Sequence, residues 1–237
     1  AIAMIVTAVA GWLASLFIPS TPTRNPEIKI GFKIWSDTQA LLQHIQEDKI
    51  IFRSILGISW FWLIGATYLS QLPTFSKTII GGNEQVVTLF LIIFSIGIAI
   101  GSLLCNKLLK QEIAATYTPV GILGVTLFSV DLFFAAGQIN PAENAVLIGV
   151  VEYLTTFTHW RILLDLLGIA ICGGIFIVPL YAIIQDRAET SHRSRVFAGN
   201  NIINALFMVI AAVAISLMYY SKFSVTDCFL TLAILNG

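Results

Sequence analysis

The chain has 237 residues, with Lys+Arg 13 against Asp+Glu 13, a formal net charge of zero, 57% hydrophobic residues and only 11% charged ones; its mean hydropathy is +0.87. A soluble domain carries roughly 25% charged residues, so water is not the main solvent of this chain. The neutral balance also excludes the broad basic surface that nucleic-acid binding requires, which leaves the lipid bilayer as the implied partner.

A helix needs about 20 apolar residues to cross the hydrocarbon core. Seven segments approach or meet that length: Ala1–Ile18, Ile50–Leu72, Val86–Cys105, Thr116–Ala136, Trp160–Ile184, Val196–Tyr220 and Val225–Leu235. The first is apolar but lacks the positive n-region of a signal peptide, so it is read as the end of a span. It starts without a preceding loop, and the last apolar run stops after about 11 residues, too short to cross. The expectation is an all-α, polytopic membrane helix bundle belonging to a longer polypeptide, with residues 1–18, 19–49 and 50–237 as its three parts.

The part 19–49 differs in composition from its surroundings, with Pro19, Pro22 and Pro26 followed by a polar, helix-capable stretch. Ile34, Trp35, Leu41, Leu42 and Ile45 share one side at helical spacing. This linker is expected to form a short amphipathic helix, either on the membrane surface with Trp35 at headgroup depth or packed on the bundle. Beyond it, Pro73–Gln85, with Gly81-Gly82-Asn83, and Gly137–His159, with Asn140-Pro141, carry turn chemistry. Val146–Tyr153 is apolar enough to lie along the membrane edge.

Lys and Arg are retained on the cytoplasmic side of short loops. With Ile18 leaving into the cytoplasm, Arg24, Lys29, Lys33, Lys49, Arg53, Lys107, Lys110, Arg187, Arg193 and Arg195 lie inside, and only Lys77, Arg161 and Lys222 lie outside. The linker and the loops near 107 and 187–195 are therefore expected to be cytoplasmic.

No enzyme constellation is present: there is neither a glycine-rich phosphate loop nor a nucleophile elbow. His44, His159 and His192 are expected to be solvated surface residues without paired ligands, and Cys105, Cys172 and Cys228 are expected to act as small apolar side chains. No metal or cofactor is expected. Gly97, Gly101, Gly173 and Gly174 fall within spans, where small residues let helices approach closely, and are read as packing seams.

Ionisable groups inside spans carry more information, because charge in hydrocarbon demands a partner or a wet cavity. Asp131 and Asp165 both fall in the outer half of their spans. Arg161, four residues before Asp165, is expected to pair with it along one helix face; Asp131 has no local partner and so has the better claim to a cavity. Asn200, Asn201 and Asn204 open the sixth segment, and Asn200 and Asn204 share a face; such amides bond across helices or line a polar path. Thr67, Tyr68 and Gln71 near the far end of the second segment either line a cavity mouth or form an interfacial polar collar.

Two runs are specific. Gln185-Asp186-Arg187-Ala188 with His192 through Met208, and Gly57-Ile58-Ser59-Trp60-Phe61-Trp62 continuing through Gly65-Ala66-Thr67-Tyr68-Leu69-Ser70-Gln71-Leu72-Pro73, resemble the bacterial lysophospholipid transporter family of the major facilitator superfamily. The closest likeness is to its branch fused to an acyltransferase and an acyl-carrier-protein ligase. The resemblance implies twelve spans in two halves around a central cavity in the bacterial inner membrane. On that map this chain runs from the sixth span, through the central loop, into the twelfth. It further implies lysophospholipid, chiefly lysophosphatidylethanolamine, as substrate, taken by alternating access from outer to inner leaflet for reacylation. The N-terminal transporter half and a fused or associated acyltransferase become partners, and the chain itself is not an enzyme.

On that basis Asp131, Arg161 and Asp165 are expected to meet the headgroup at the outer side and the Asn cluster at the inner side. Lys107, Asp186, Arg187, Arg193 and Arg195 are expected to serve inner-loop gating. The superfamily's inner-loop motif is weak here: in Gly101-Ser102-Leu103-Leu104-Cys105-Asn106-Lys107, Cys105 stands where an acid is expected. Two other readings stay open: a proton-coupled carrier of a soluble solute, and a membrane anchor for a fused acyltransferase. A seven-helix receptor is disfavoured by the absence of a retinal-type Lys within a span.

Overall fold

A computed structural model describes residues 2–19, 34–110, 112–139, 146–189 and 192–237. The chain divides into two compact units, Ala1–Ser36 and Asp37–Gly237. The first contains α1 (Ile2–Ser15), apolar and exposed along its length at Ile2, Met4, Ile5 and Trp12, with Phe17 exposed just beyond its end. Residues 20–33 of the predicted linker, and the side chains of Trp35 and His44, lie outside the described residues.

Every regular element among the described residues is helical. The second unit holds the remainder of α2 (Ile34–Glu47), then α3 (Lys49–Phe75), α4 (Glu84–Leu108), α5 (Thr118–Ala136), α6 (Val150–Thr155), α7 (Phe157–Arg187), α8 (Arg193–Tyr220) and α9 (Val225–Asn236). Five helices are long and apolar enough to cross a membrane: α3 with its extension to Ile80, α4, α5, α7 and α8. Two shorter apolar helices, Met4–Ser15 and Val225–Asn236, account for the other two of the seven segments. The edge-lying stretch Val146–Tyr153 becomes a single bridge, Ile148 with Gly82, followed by the short helix α6.

Local chemistry sets the helix ends. Asp48 caps α3: its Oδ1 accepts from the amides of Ile50 at 2.8 Å and Ile51 at 3.2 Å, satisfying donors that have no partner in the first turn. At the other end Pro73 cannot donate to the helical ladder, and the chain widens into a π turn over Ser76–Ile80. Gly81 then ends the element at φ 71, a left-handed conformation that suits glycine. Ser224 opens α9 with a reciprocal capping box to Asp227.

Glycines fix which helices touch. A Cβ on Gly97 would meet Ala170 Cβ at 2.5 Å and the Leu167 carbonyl at 3.0 Å, and one on Gly174 would meet the Ile98 carbonyl at 2.7 Å. Gly97, Gly101 and Gly174 of the predicted seams therefore lie at the α4–α7 interface, with both helices running in the same direction, whereas Gly173 faces Phe61 of α3. On the other side of α7, Gly121 and Gly124 of α5 approach Phe176 and Cys172, and Gly57 of α3 approaches Leu180; α5 and α3 thus run antiparallel to α7.

Tyr68, Phe75, Phe90, Phe94, Tyr153 and Phe229 form an aromatic core where α3, α4, α6, α7 and α9 converge, and Tyr68 stacks on Phe229 at 4.5 Å between ring centroids. A second cluster gathers Ile45, Ile51, Ile55, Ile58, Leu180, Ile184 and Val196 at the end of the bundle that carries Arg187 and Arg193. That end is the basic end below; the opposite one is the distal end. Only 11% of the most apolar stretch of α8 is buried, against 56% for α7, so α8 presents most of its apolar surface outward.

Candidate functional site

At the distal end, α7 brings Arg161 and Asp165 against α5, which carries Asp131. Arg161 reaches across to Asp131, its Nε donating to Oδ2 at 3.0 Å and its Nη2 donating to Oδ1. Both side chains are close to half exposed, at 40% for Arg161 and 43% for Asp131. This corrects one expectation, since Arg161 does not pair along its own helix with Asp165; Asp131, which has no local partner in sequence, finds one thirty residues away. The basic residue precedes the acidic one, which is the weaker order for an i,i+4 pair, and an interhelical carboxylate offers two-point geometry instead. Asp165 is 3% exposed, lies beside Asp131, and its Oδ2 has no hydrogen-bond partner.

The three α3 residues are all buried. Thr67 donates back to the Leu63 carbonyl of its own helix at 3.0 Å. Tyr68 donates to Ser129 Oγ on α5 at 2.7 Å, tying α3 to α5 one level below the ion pair. Gln71 accepts from Tyr219 of α8. His159 is also buried rather than solvated: its ring stacks on Tyr153 at 4.4 Å, and its Nδ1 lies 3.1 Å from the Tyr153 carbonyl. Nothing in the local sequence signalled this, because the stacking depends on the turn between α6 and α7.

At the basic end Asn200 and Asn204 share the face of α8 that packs on α3, as their spacing predicts, while Asn201 is exposed. Asn204 accepts from Ser59 Oγ at 2.7 Å. Asn200 is fully buried and its Oδ1 has no partner; its amide nitrogen lies 3.4 Å from Asn201. Ser129, Tyr219 and Asn236 went unremarked in the sequence, and Ser59 entered only as part of the Gly57–Trp62 run, with no role of its own. Asn236 accepts from the Trp60 indole at 2.7 Å and donates to Thr126 at 2.8 Å, tying α9 to α3 and α5. An amide among the apolar residues of α9 was the available clue.

The gating candidates divide. Arg187 donates to Asp48 Oδ2 at 3.3 Å, so one carboxylate both caps α3 and holds the end of α7. Partial burial pushes the Asp48 carboxyl upward, but the Ile51 and Ile50 amides and the Arg187 guanidinium outweigh it and hold the group below its ordinary value of 3.8. Arg193 has a buried Nε without a partner, whereas Lys107, Asp186 and Arg195 are exposed. Cys105 is fully buried, as expected of a small apolar side chain. A cleft of about 580 Å³ opens here, lined by Ile45, Asp48, Lys49, Arg187, His192 and Val196 among others. No group of three His, Cys, Asp or Glu suited to a metal occurs among the described residues.

Among the described residues, an all-helical bundle with five apolar helices long enough to cross a bilayer defines a multi-pass membrane protein. The family model described as Major Facilitator Superfamily matches residues 1–212, and the chain belongs to that superfamily. Curated relatives are similar over most of the chain. The lysophospholipid transporter LplT of Enterobacter sp. (strain 638) is 27% identical over 200 residues, 80% of this chain and 42% of the relative. LplT of Serratia proteamaculans (strain 568) is 25% identical over 204 residues, covering 83% and 44%. LplT of Citrobacter koseri is 30% identical over 154 residues, covering 63% and 31%. The chain thus spans less than half the length of these relatives. No solved structure matches it.

Proposed function

We propose that residues 50–237 form the C-terminal half of a transporter that moves lysophospholipid, chiefly lysophosphatidylethanolamine, from the outer to the inner leaflet of the bacterial inner membrane. The observation that carries the reading is the similarity to lysophospholipid transporters over four-fifths of the chain, on a bundle with an ion pair at its distal end and buried amides toward its basic end. A lysolipid has a zwitterionic headgroup that must pass hydrocarbon and an acyl tail that need not leave it. The half-exposed Arg161 and Asp131 offer one charge of each sign at the distal end, suited to phosphate and ammonium. Asn200 and Arg193, each with a buried polar atom left open, offer an acceptor and a donor at the basic end.

Counting Lys and Arg orients the basic end, with the linker 19–49 and the loops near 107 and 187–195, toward the cytoplasm. Alternating access in such folds works between two repeats, so the N-terminal half is the necessary partner, and the open face of α8 is available to it or to lipid. The delivered lysolipid is the substrate of an acyltransferase, fused or associated.

The test is uptake of labelled lysophosphatidylethanolamine by spheroplasts expressing the full-length transporter. Reporter fusions at Lys107 and Arg193 test the orientation and are expected to report both on the inside. Asp131→Asn removes the carboxylate facing Arg161 and is expected to lower uptake by roughly tenfold at equal expression, the scale of one charge-assisted contact. Unchanged uptake removes Asp131 from the headgroup path, and wild-type uptake no better than an empty vector overturns the substrate.

A further inference from the structure

The described part of α2 is anchored to the bundle through very little apolar surface. Gln39, Gln43, Gln46 and Glu47 are exposed, Leu41 and Leu42 are half-buried, and among its described side chains only Ile45 is fully buried, at 2%. Ile45 stands where the basic ends of α3, α7 and α8 converge, in one cluster with Ile51, Ile55, Ile184 and Val196.

The surface that receives it on α8 is Gly199. A Cβ there would overlap Ile45 Cδ1 and would stand 3.4 Å from Leu41 Cδ2, so the notch exists only because this residue is glycine. On the same turn Asn200 is fully buried with its Oδ1 unpartnered, and a buried acceptor without a donor destabilises the arrangement that buries it. A single residue, Asp48, separates α2 from α3, its backbone extended at φ -94 and ψ 102. Turning α2 about that residue breaks neither helix, the property of a hinge at an element end. Its carboxylate holds the α3 side of the hinge, capping Ile50 and Ile51 and accepting from Arg187 of α7 at 3.3 Å.

We infer that α2 is a strap that opens and closes over the basic end of the bundle, with Asp48 as its hinge and the Gly199 notch as its catch. Seated, Ile45 fills the notch and helps to keep Asn200 from water. Lifted, α2 bares the notch, and the Asn200 oxygen gains a donor. Elements held by few buried apolar contacts are those that open locally, and the inference holds whatever solute the transporter carries.

The experiment uses the full-length transporter and two readouts. In nanodiscs, a water-soluble maleimide labels Val196→Cys, a position 3% exposed in the Ile45 cluster. Arg195→Cys, at the exposed position beside it, is the reference, and the parent protein is the blank for Cys105, Cys172 and Cys228. A strap that lifts gives slow but complete labelling of Val196→Cys. Adding Gly199→Ala, which fills the notch, or Ile45→Ala, which removes the side chain seated in it, should speed that labelling by at least about tenfold. Should Gly199→Ala fail to fold, Ile45→Ala carries the comparison.

The second readout is uptake of labelled lysophosphatidylethanolamine by spheroplasts carrying Ile45→Cys with Gly199→Cys, and it alone rests on the lysolipid reading. The Cβ atoms of these positions stand within about 5 Å, close to the disulfide range of about 3.5–4.5 Å. Oxidation with diamide should lower uptake by at least about tenfold relative to wild type treated alike, and dithiothreitol should restore it. The proposal is overturned if Val196→Cys stays unlabelled while Arg195→Cys reacts fully, or if neither notch variant labels faster. It is equally overturned if the cysteine pair does not oxidise, or oxidises and leaves uptake intact. If neither wild type nor the reduced pair takes up lysophosphatidylethanolamine, the solute reading falls, and the labelling rates decide the strap by themselves.

Discussion

The α4–α7 seam gives the sharpest quantitative expectation. In Gly174→Ala the new Cβ would lie 2.7 Å from the Ile98 carbonyl oxygen, 2.9 Å from the Ser102 nitrogen and 3.0 Å from the Gly101 carbonyl carbon, where ordinary contact begins at 3.4 Å. All three atoms are backbone, so no side chain can swing away, and the helices must part by about 0.7 Å at this point, the shortfall on the closest contact. Overpacking of this kind costs about 1–3 kcal/mol, and alanine's better helix propensity returns up to about 1 kcal/mol. Gly65→Ala isolates the second effect, since a Cβ there meets nothing within 4 Å. Thermal unfolding of the purified variants should place Gly65→Ala at or above wild type and Gly174→Ala roughly 2–12 °C below Gly65→Ala. Two variants melting within about 1 °C of each other would refute the close-approach argument.

Ser59→Ala leaves the buried Asn204 amide oxygen without its donor at 2.7 Å and should lower stability by about 1–2 kcal/mol. Adding Asn204→Leu should recover part of that loss, and strictly additive melting shifts would mean the two groups do not interact. For Asp48, the folded carboxyl is held below 3.8, so its contribution is complete above the unfolded value and fades as pH falls through the folded one. Asp48→Ala should therefore lower the midpoint at about pH 6 and converge on wild type toward about pH 3; a gap that persists undiminished at the acid end would show that the cap and the Arg187 pair depend on something other than charge.

Much of the fold was legible before any coordinate. Whether a segment prefers lipid is a property of that segment alone, so apolar runs separated by polar connectors located the five long helices, within a few residues of their ends except at α3, which continues through Pro73 and the π turn to Ile80, eight residues past the expected Leu72. Backbone seams were legible for a related reason: a glycine deep in a span, such as Gly97 or Gly174, has little purpose there except to admit a neighbour. Asn200 and Asn204 likewise could be assigned to one face from their spacing alone.

Partner choice could not be read this way. Arg161 stood four residues from Asp165 in the chain yet bonds Asp131, thirty residues away, because crossing helices offered a two-point carboxylate. Tyr68 with Ser129, Gln71 with Tyr219, and Ser59 with Asn204 are each joined across 61 to 148 positions. Nor did any local signal mark His159 as buried. Sequence settles where each helix lies because burial in lipid is paid segment by segment; the tertiary structure decides which polar groups meet, because a hydrogen bond depends on the crossing of two helices that neither encodes alone.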